Sequence, residues 1–227
     1  MTSSIRIIQT EDGSQSLYNE SLNETYHSTH GALTESQYVF IKQGLDLLVE
    51  RGDKKISIFE VGFGTGLNAL LVQKYAHEHT DLDISFTTLE PFPLSSKLIS
   101  ELRYETLIDG VVQSDFEKLH NCSWRVEHQV LENFIFTKYN STLEEFDTNE
   151  KVNLVFYDAF APSKQAEMWE KALLSKVCAL LSDGGVFVTY CARGQLKRDL
   201  NSLGLMVETL PGPPGKKEMV RAVKSST

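Results

Sequence analysis

At 227 residues, with 41% apolar and 23% charged residues, the chain suits one large α/β domain with a modest extension. No apolar run approaches the ~18–20 residues that span a bilayer, and the start, Met1-Thr2-Ser3-Ser4-Ile5, lacks the basic-then-apolar pattern of a secretory signal. These features exclude a membrane-spanning protein and predict a cytoplasmic one, while the net charge of −9 argues against wholesale attraction to nucleic acid.

Residues 1–34 are polar, with a turn expected at Glu11-Asp12-Gly13-Ser14, and read as an N-terminal extension. Val39, Phe40, Leu45, Leu47 and Leu48 recur at helical spacing over Glu35–Arg51, and Gly52 ends that helix. Strands and helices then alternate. Strands are expected at 56–61, 84–90, 134–138, 152–158 and 186–191. Helices are expected at 67–79, at 93–107 with proline in the first turn, at 166–181 stopped by Asp183-Gly184-Gly185, and at 193–203 ended by Gly204. Residues 109–133 read as irregular, with a short helix near Phe116–His120. Two last strands, 205–210 and 219–223, are joined by Pro211-Gly-Pro-Pro-Gly-Lys-Lys217 with no helix between them, which forces antiparallel pairing. The expected fold is therefore α/β, a seven-stranded, mostly parallel sheet closed by a C-terminal antiparallel hairpin, with the domain over 53–227 and the extension over 1–52. That hairpin resembles the class I methyltransferase architecture more than a nicotinamide-binding domain.

Three cysteines (Cys122, Cys178, Cys191), none spaced C-x-x-C, give neither a disulfide framework nor a cysteine zinc site. His27-Ser-Thr-His30 lacks a third ligand nearby and His77-Glu-His79 reads as a polar helix end, so no metal is expected. Charge is unevenly spread. Residues 186–227 hold seven basic and three acidic side chains, a local +4 against −13 for the rest. Arg193, Lys197, Arg198, Lys216 and Lys217 can thus form a basic face able to meet phosphates, although so modest an excess also describes an ordinary solvated surface.

The loop Glu60-Val-Gly62-Phe-Gly64-Thr-Gly66-Leu-Asn68 links the first strong strand to a helix. It is E-x-G-x-G-x-G rather than G-x-G-x-x-G, with Leu67 in the third dinucleotide position. An acid before the first glycine suits the ammonium end of S-adenosylmethionine (SAM) better than a pyrophosphate. Glu90, at the end of the second strand, can accept from both ribose hydroxyls of either NAD or SAM. The run Val152–Phe156 leads into Tyr157-Asp158-Ala-Phe160-Ala-Pro162, which delivers an acid and a ring to a strand end, where open sheets bind ligands. An Asx turn with Phe160 as core filler fits the same residues.

These motifs, with Tyr26-His-Ser-x-x-Gly31-Ala-Leu-x-Glu35-Ser-x-x-Val39-Phe40, Leu89-Glu-Pro-Phe-Pro-Leu94, Met168-Trp169 and Pro211-Gly-Pro-Pro-Gly-Lys-Lys-Glu-Met219, occur in order over roughly residues 20–224. Together they resemble the methyltransferase module of the MnmC/MnmD family. The resemblance implies SAM-dependent methylation of the 5-aminomethyl group of (2-thio)uridine at the tRNA wobble position, a tRNA anticodon loop as partner, and a stand-alone form without flavin. Other enzymes would then install the 5-aminomethyl or 5-carboxymethylaminomethyl group. It implies Asp158 as amine acceptor, Phe160 as base platform, and Glu60, Gly62, Gly64, Gly66, Asn68, Glu90, Asp158 and Tyr26 around the cofactor. Family members carry an acid beside the adenine near the end of the third strand. Here Thr142 or Asn140 takes that position. Competing expectations are a methyltransferase of a small amine or protein, an NAD-dependent oxidoreductase, and a non-catalytic SAM-binding module.

Overall fold

The computed structural model describes residues 5–225; Met1–Ser4 of the expected extension and Ser226-Thr227 lie outside the described residues. The main sheet has eight strands: β4 (Lys55–Val61), β5 (Asp83–Leu89), β6 (His128–Leu131), β7 (Phe134–Tyr139), β8 (Val152–Tyr157), β9 (Leu181–Thr189), β10 (Leu205–Pro211) and β11 (Glu218–Lys224). Their spatial order is β10-β11-β9-β8-β4-β5-β7-β6. The five inner strands β9, β8, β4, β5 and β7 run parallel, and β11 and β10 close one edge antiparallel. The parallel strands are near-continuous apolar runs because helices and long connections cover both of their faces. Ile56, Ile58, Phe86, Phe134, Phe136, Leu154, Phe156, Val186 and Val188 sit in one buried cluster, while Phe59, Val61, Val155, Tyr157, Phe187 and Val220 sit in the other. That alternation is the period of two of a strand with both faces buried.

The seven expected strands are present, and an eighth, β6, pairs antiparallel with β7 at the far edge. It is four residues long and only partly buried, so it carries little apolar signal. Before it, Gln113–Asn121 forms α5, which extends the short helix expected there. The helix expected over 93–107 contracts to α4 (Ser96–Glu101), capped by the Ser95 hydroxyl, plus a 3₁₀ turn at Tyr104–Thr106. Helix α6 (Lys171–Leu180) ends before Asp183-Gly-Gly. The chain enters β9 at once and bulges there, since Val152 pairs with Leu181 but Leu154 pairs with Val186.

The N-terminal region is more ordered than its polarity suggests. Strands β1 (Ile5–Gln9), β2 (Gln15–Asn19) and β3 (Glu24–Thr25) form a small antiparallel sheet around the expected turn. The Asp12 carboxylate accepts from the Ser14 and Thr10 hydroxyls, the Ser14 amide and the Thr34 amide and hydroxyl. It thereby pins the turn to the start of a continuous helical run over 32–50. In that run α1 (Ala32–Ser36) and α2 (Asp46–Glu50) flank a π-helical stretch, Gln37–Leu45. The run packs on the main sheet, with the Phe40 and Phe156 ring centroids 5.1 Å apart.

Candidate active site

The strand order reverses at β4, which has β5 on one side and β8 on the other. At such a switch the connections leave in opposite directions and open a crevice at the carboxyl ends of the strands. The three strand ends are level. Val61 pairs with Leu89 and Tyr157, the Asp158 amide donates to the Val61 carbonyl at 3.0 Å, and the Gly62 and Phe63 amides donate to Leu89 O. A cavity of about 760 Å³ opens there, lined among others by Gly62–Thr65, Glu90, Thr142, Asp158, Phe160 and Tyr26.

The loop from β4 to α3 (Leu67–Glu78) turns through three residues of positive φ, Gly62 at 97°, Gly64 at 51° and Gly66 at 77°. At Gly62 a β-carbon would lie 2.7 Å from the Asp158 carbonyl oxygen, so the close approach of β4 and β8 requires glycine. At Gly66 it would lie 2.8 Å from His120 Nε2. Two histidines brace the loop. His27 Nε2 meets the Thr65 hydroxyl at 2.8 Å, and His120 Nε2 meets the Thr65 carbonyl at 3.0 Å, where only a protonated nitrogen can bond. Burial pulls both histidines down to about 4, so both are neutral near pH 7. Neither brace is legible in the sequence, because His27 and His120 lie far from Thr65 along the chain.

Glu60, expected at the cofactor's ammonium, does not line the cavity. It is fully buried beneath the loop, where it accepts from Asn68 Nδ2 at 3.0 Å and from the Thr88 hydroxyl at 2.6 Å. The carboxylate at the end of a buried parallel strand points into the sheet-helix interface, not out of it. Burial, with Asp158 adding like charge, pushes Glu60 up to about 8. Asn68 and Gly66 likewise stand behind the cavity wall. The same Asn68 Nδ2 also donates to Asp158 Oδ2 at 2.9 Å, so one amide fixes both acids.

Glu90 faces the cavity and accepts from the Gly64 amide and the Phe92 amide, each at 2.8 Å. Burial raises its pKa. Of the two candidates near the end of β7, Thr142 reaches the cavity. Asn140 instead donates to the Glu90 and Pro91 carbonyls and holds the end of β5. An acid does stand on this wall, two residues further on, at Glu144. The sequence does not reveal it, because an irregular segment gives no register by which to count.

Asp158 lies half-buried on the wall. Burial, and then the Glu35 carboxylate, push it up to about 7, against the opposing Asn68 hydrogen bond and the Lys216 charge. Phe160 lines the same cavity and meets the Tyr26 ring edge-on, with centroids 5.0 Å apart. Its ring is therefore not core filler. Trp169 is buried and donates to the Phe160 carbonyl at 2.8 Å, so it supports the Asp158–Pro162 loop from below.

The basic residues divide. Arg193, Arg198 and Lys217 are exposed. Lys197 is bound to Glu218 at 3.0 Å. Lys216, expected on the RNA-facing surface, turns inward instead, pairs with the buried Glu35 and lines the cavity. The buried Glu35 carboxylate offers it a counter-charge, and the Lys216 side chain stays partly exposed, so its desolvation is incomplete. Among the described residues no group of three His, Cys, Asp or Glu is placed to hold a metal ion, and no helix is long and apolar enough to cross a membrane.

Residues 106–225 match the family model described as S-adenosyl-L-methionine-dependent methyltransferase. The chain belongs to this family. SAM is accordingly its cofactor, and the cavity at the switch point, with its glycine turn and the Glu90 carboxylate, has the donors and the space for a nucleoside-sized group. Among curated relatives, the tRNA 5-methylaminomethyl-2-thiouridine biosynthesis bifunctional protein MnmC of Leptospira interrogans is 30% identical over 213 residues, covering 88% of this chain and 32% of that protein. The protein of the same name from Idiomarina loihiensis is 31% identical over 214 residues, covering 87% of this chain and 35% of its own length. The chain thus spans about a third of the length of these relatives. A solved structure, MnmC2 from Aquifex aeolicus, superposes with a TM-score of 0.81 at 25% identity, covering 99% of this chain and 72% of that one.

Proposed function

We propose that this methyltransferase transfers the methyl group of SAM to the exocyclic amine of 5-aminomethyl-(2-thio)uridine at the wobble position of tRNA, giving 5-methylaminomethyl-(2-thio)uridine. The observation that carries the proposal is the Asp158 carboxyl group. It faces the cavity beside Phe160, is anchored by Asn68, and is held near neutrality. The names of the relatives point to the same nucleoside.

When bound, SAM supplies an electrophilic methyl on a sulfonium sulfur. In this proposal the backbone of Gly62–Thr65 and the carboxylate of Glu90 would hold the cofactor, together with Thr142, Glu144 and Tyr26 on the cavity wall. Glu60 and Asn68 act from behind, by fixing the loop and Asp158. The attacking nitrogen must be neutral, and an alkylamine has an ordinary pKa of ~10.4. Asp158 accepts a hydrogen bond from the amine, aims its lone pair and takes its proton as the new N–C bond forms and the C–S bond breaks. A carboxylate at about 7 rather than 3.8 makes that proton transfer less uphill by ~4 kcal/mol. Phe160 stacks on the uracil ring, a contact of ~1–3 kcal/mol for a base already in a single-stranded loop. Arg193, Arg198 and Lys217 meet anticodon-stem phosphates. The 5-aminomethyl group is the substrate of this step and is installed beforehand by a separate activity. We further propose that residues 1–52 act as an extension packed on the domain over 53–227, and that the enzyme works in the cytoplasm.

The test is nucleoside mass spectrometry of tRNA bearing 5-aminomethyl-uridines after incubation with the protein and SAM. A gain of one methyl on that nucleoside is expected. Turnover of SAM on small amines or proteins, with no gain on the tRNA, would refute the proposal.

A further inference from the structure

Lys216 sits in the loop between β10 and β11, 181 residues from its ion-pair partner Glu35. Glu35 is 4% exposed, and its other oxygen accepts from the Ser28 amide at 3.0 Å. The Lys216 ammonium also lies 4.4 Å from the centre of the Tyr190 ring. Tyr190 in turn donates to the Ala159 carbonyl at 2.8 Å, next to Asp158. Beside this pair the His30 ring closes against Gly215, which has φ +82°, so the loop is seated on the N-terminal segment at two points. Glu35, Lys216, Tyr190, Asp158, Phe160 and Tyr26 all face one cavity. Burying the Glu35 carboxylate is costly unless it is paired and its other oxygen is hydrogen-bonded, and here Lys216 and the Ser28 amide meet both conditions.

We infer that Glu35 and Lys216 are a positioning pair for methyl transfer: they clasp the β10–β11 loop and the N-terminal segment around Tyr190 and set the electrostatic environment of the Asp158 carboxyl. The role assigned to Asp158 above is presupposed. The charged and titratable groups facing Asp158 come from four elements: Glu60 on β4 through their shared Asn68, Glu35 in α1, Lys216 in the β10–β11 loop, and Tyr190 after β9; His27, neutral near pH 7, faces the Glu35–Lys216 pair. Glu35 favours the protonated acid and Lys216 favours the carboxylate. Their removal therefore has opposite effects, a signature that a purely structural contact does not have. Lys216 alone should not be neutralised first, because Glu35 would then be left buried without its counter-charge.

The experiment follows the Asp158 carboxyl by carbon-detected NMR titration, together with the pH dependence of methyl transfer, in Glu35→Gln, in Glu35→Gln/Lys216→Met and in Lys216→Arg. In Glu35→Gln the free ammonium lowers the Asp158 midpoint by about one pH unit, and the acid limb of kcat moves with it. Adding Lys216→Met brings the midpoint back up by a similar amount, while kcat falls at least tenfold and the SAM Kd stays within about twofold. Lys216→Arg keeps the midpoint near that of the parent. If Glu35→Gln does not fold, the double variant, which leaves no charge unpaired, decides alone through its kcat loss at intact SAM affinity. A midpoint in Glu35→Gln that stays at the parent value, or a double variant with wild-type kcat, overturns the inference. The titration needs no substrate, so a parent protein that fails to methylate the nucleoside would refute the proposed function and leave this result readable.

Discussion

Glu60→Gln is the substitution whose consequence the structure specifies most closely. Glu60 is fully buried, and its two oxygens face one amide donor, Asn68, and one hydroxyl, Thr88. Glutamine preserves the shape. Its oxygen accepts from Asn68, and its NH₂ faces the Thr88 hydroxyl, which turns from donor to acceptor. What it removes is the titration. In the folded protein the carboxyl keeps its proton up to about 8, against 4.5 as an ordinary side chain. Between those values the folded state holds a proton that the unfolded chain has released, so stability is fully present below 4.5 and declines as the pH rises through 8. The slope is ~1.4 kcal/mol per pH unit, and from pH 6 to pH 9 the loss attributable to Glu60 is ~3 kcal/mol. Glu60→Gln should match the parent to within ~1 kcal/mol at pH 6 and exceed its stability by ~2 kcal/mol or more at pH 9. Urea denaturation at the two pH values measures this, and using the difference between the two proteins cancels other groups that titrate in common. Parallel stability profiles for parent and variant would show that Glu60 is not the buried proton holder described here.

Asp158→Asn should retain SAM binding by calorimetry and lose methyl transfer by ~10²–10⁴-fold; near wild-type transfer would remove the acid from the mechanism. For the parent, the fall of kcat/KM with decreasing pH that protonation of the substrate amine causes should steepen by a further tenfold per pH unit below about 7, as Asp158 is protonated, and Asp158→Asn should abolish that extra steepening. Gly62→Ala forces a side chain to φ 97° and to within 2.7 Å of the Asp158 carbonyl. A loss of ~1–3 kcal/mol in stability with weakened SAM binding is expected, and an unperturbed SAM Kd would count against the loop's role. Reversing Arg193, Arg198 and Lys217 to Glu should weaken tRNA binding and flatten its salt dependence by about 0.9 in log–log slope for each phosphate no longer neutralised. Reversing Lys197, already paired with Glu218, should do less, and an equal effect of the two changes would refute the division of the basic face.

The order of strands and helices was legible because each buried parallel strand is a compact apolar run and each helix carries its own stop. The helix-free gap between β10 and β11 sufficed to predict an antiparallel edge. The same local logic found the glycine loop, Glu90 and Asp158, since each lies at the end of a strand where the run of apolar residues breaks. It failed where information is not local. β6 has too few apolar residues to announce itself, and the helix expected over 93–107 ends at Glu101, where Leu102 turns extended and is buried in the core. Glu144 sits in a segment with no period from which to count.

What the sequence determined by itself, then, is the set of strand ends and the chemistry available at them, because period and turn residues act over a few positions. What only the tertiary structure decided is direction. Glu60 faces inward and Asp158 outward, though each lies at the end of a parallel strand. Lys216 leaves a loop that reads as an RNA clamp and enters the cavity to meet Glu35. A side chain's direction is set by whatever charge or space the rest of the fold brings beside it, and here those partners come from 181 residues away.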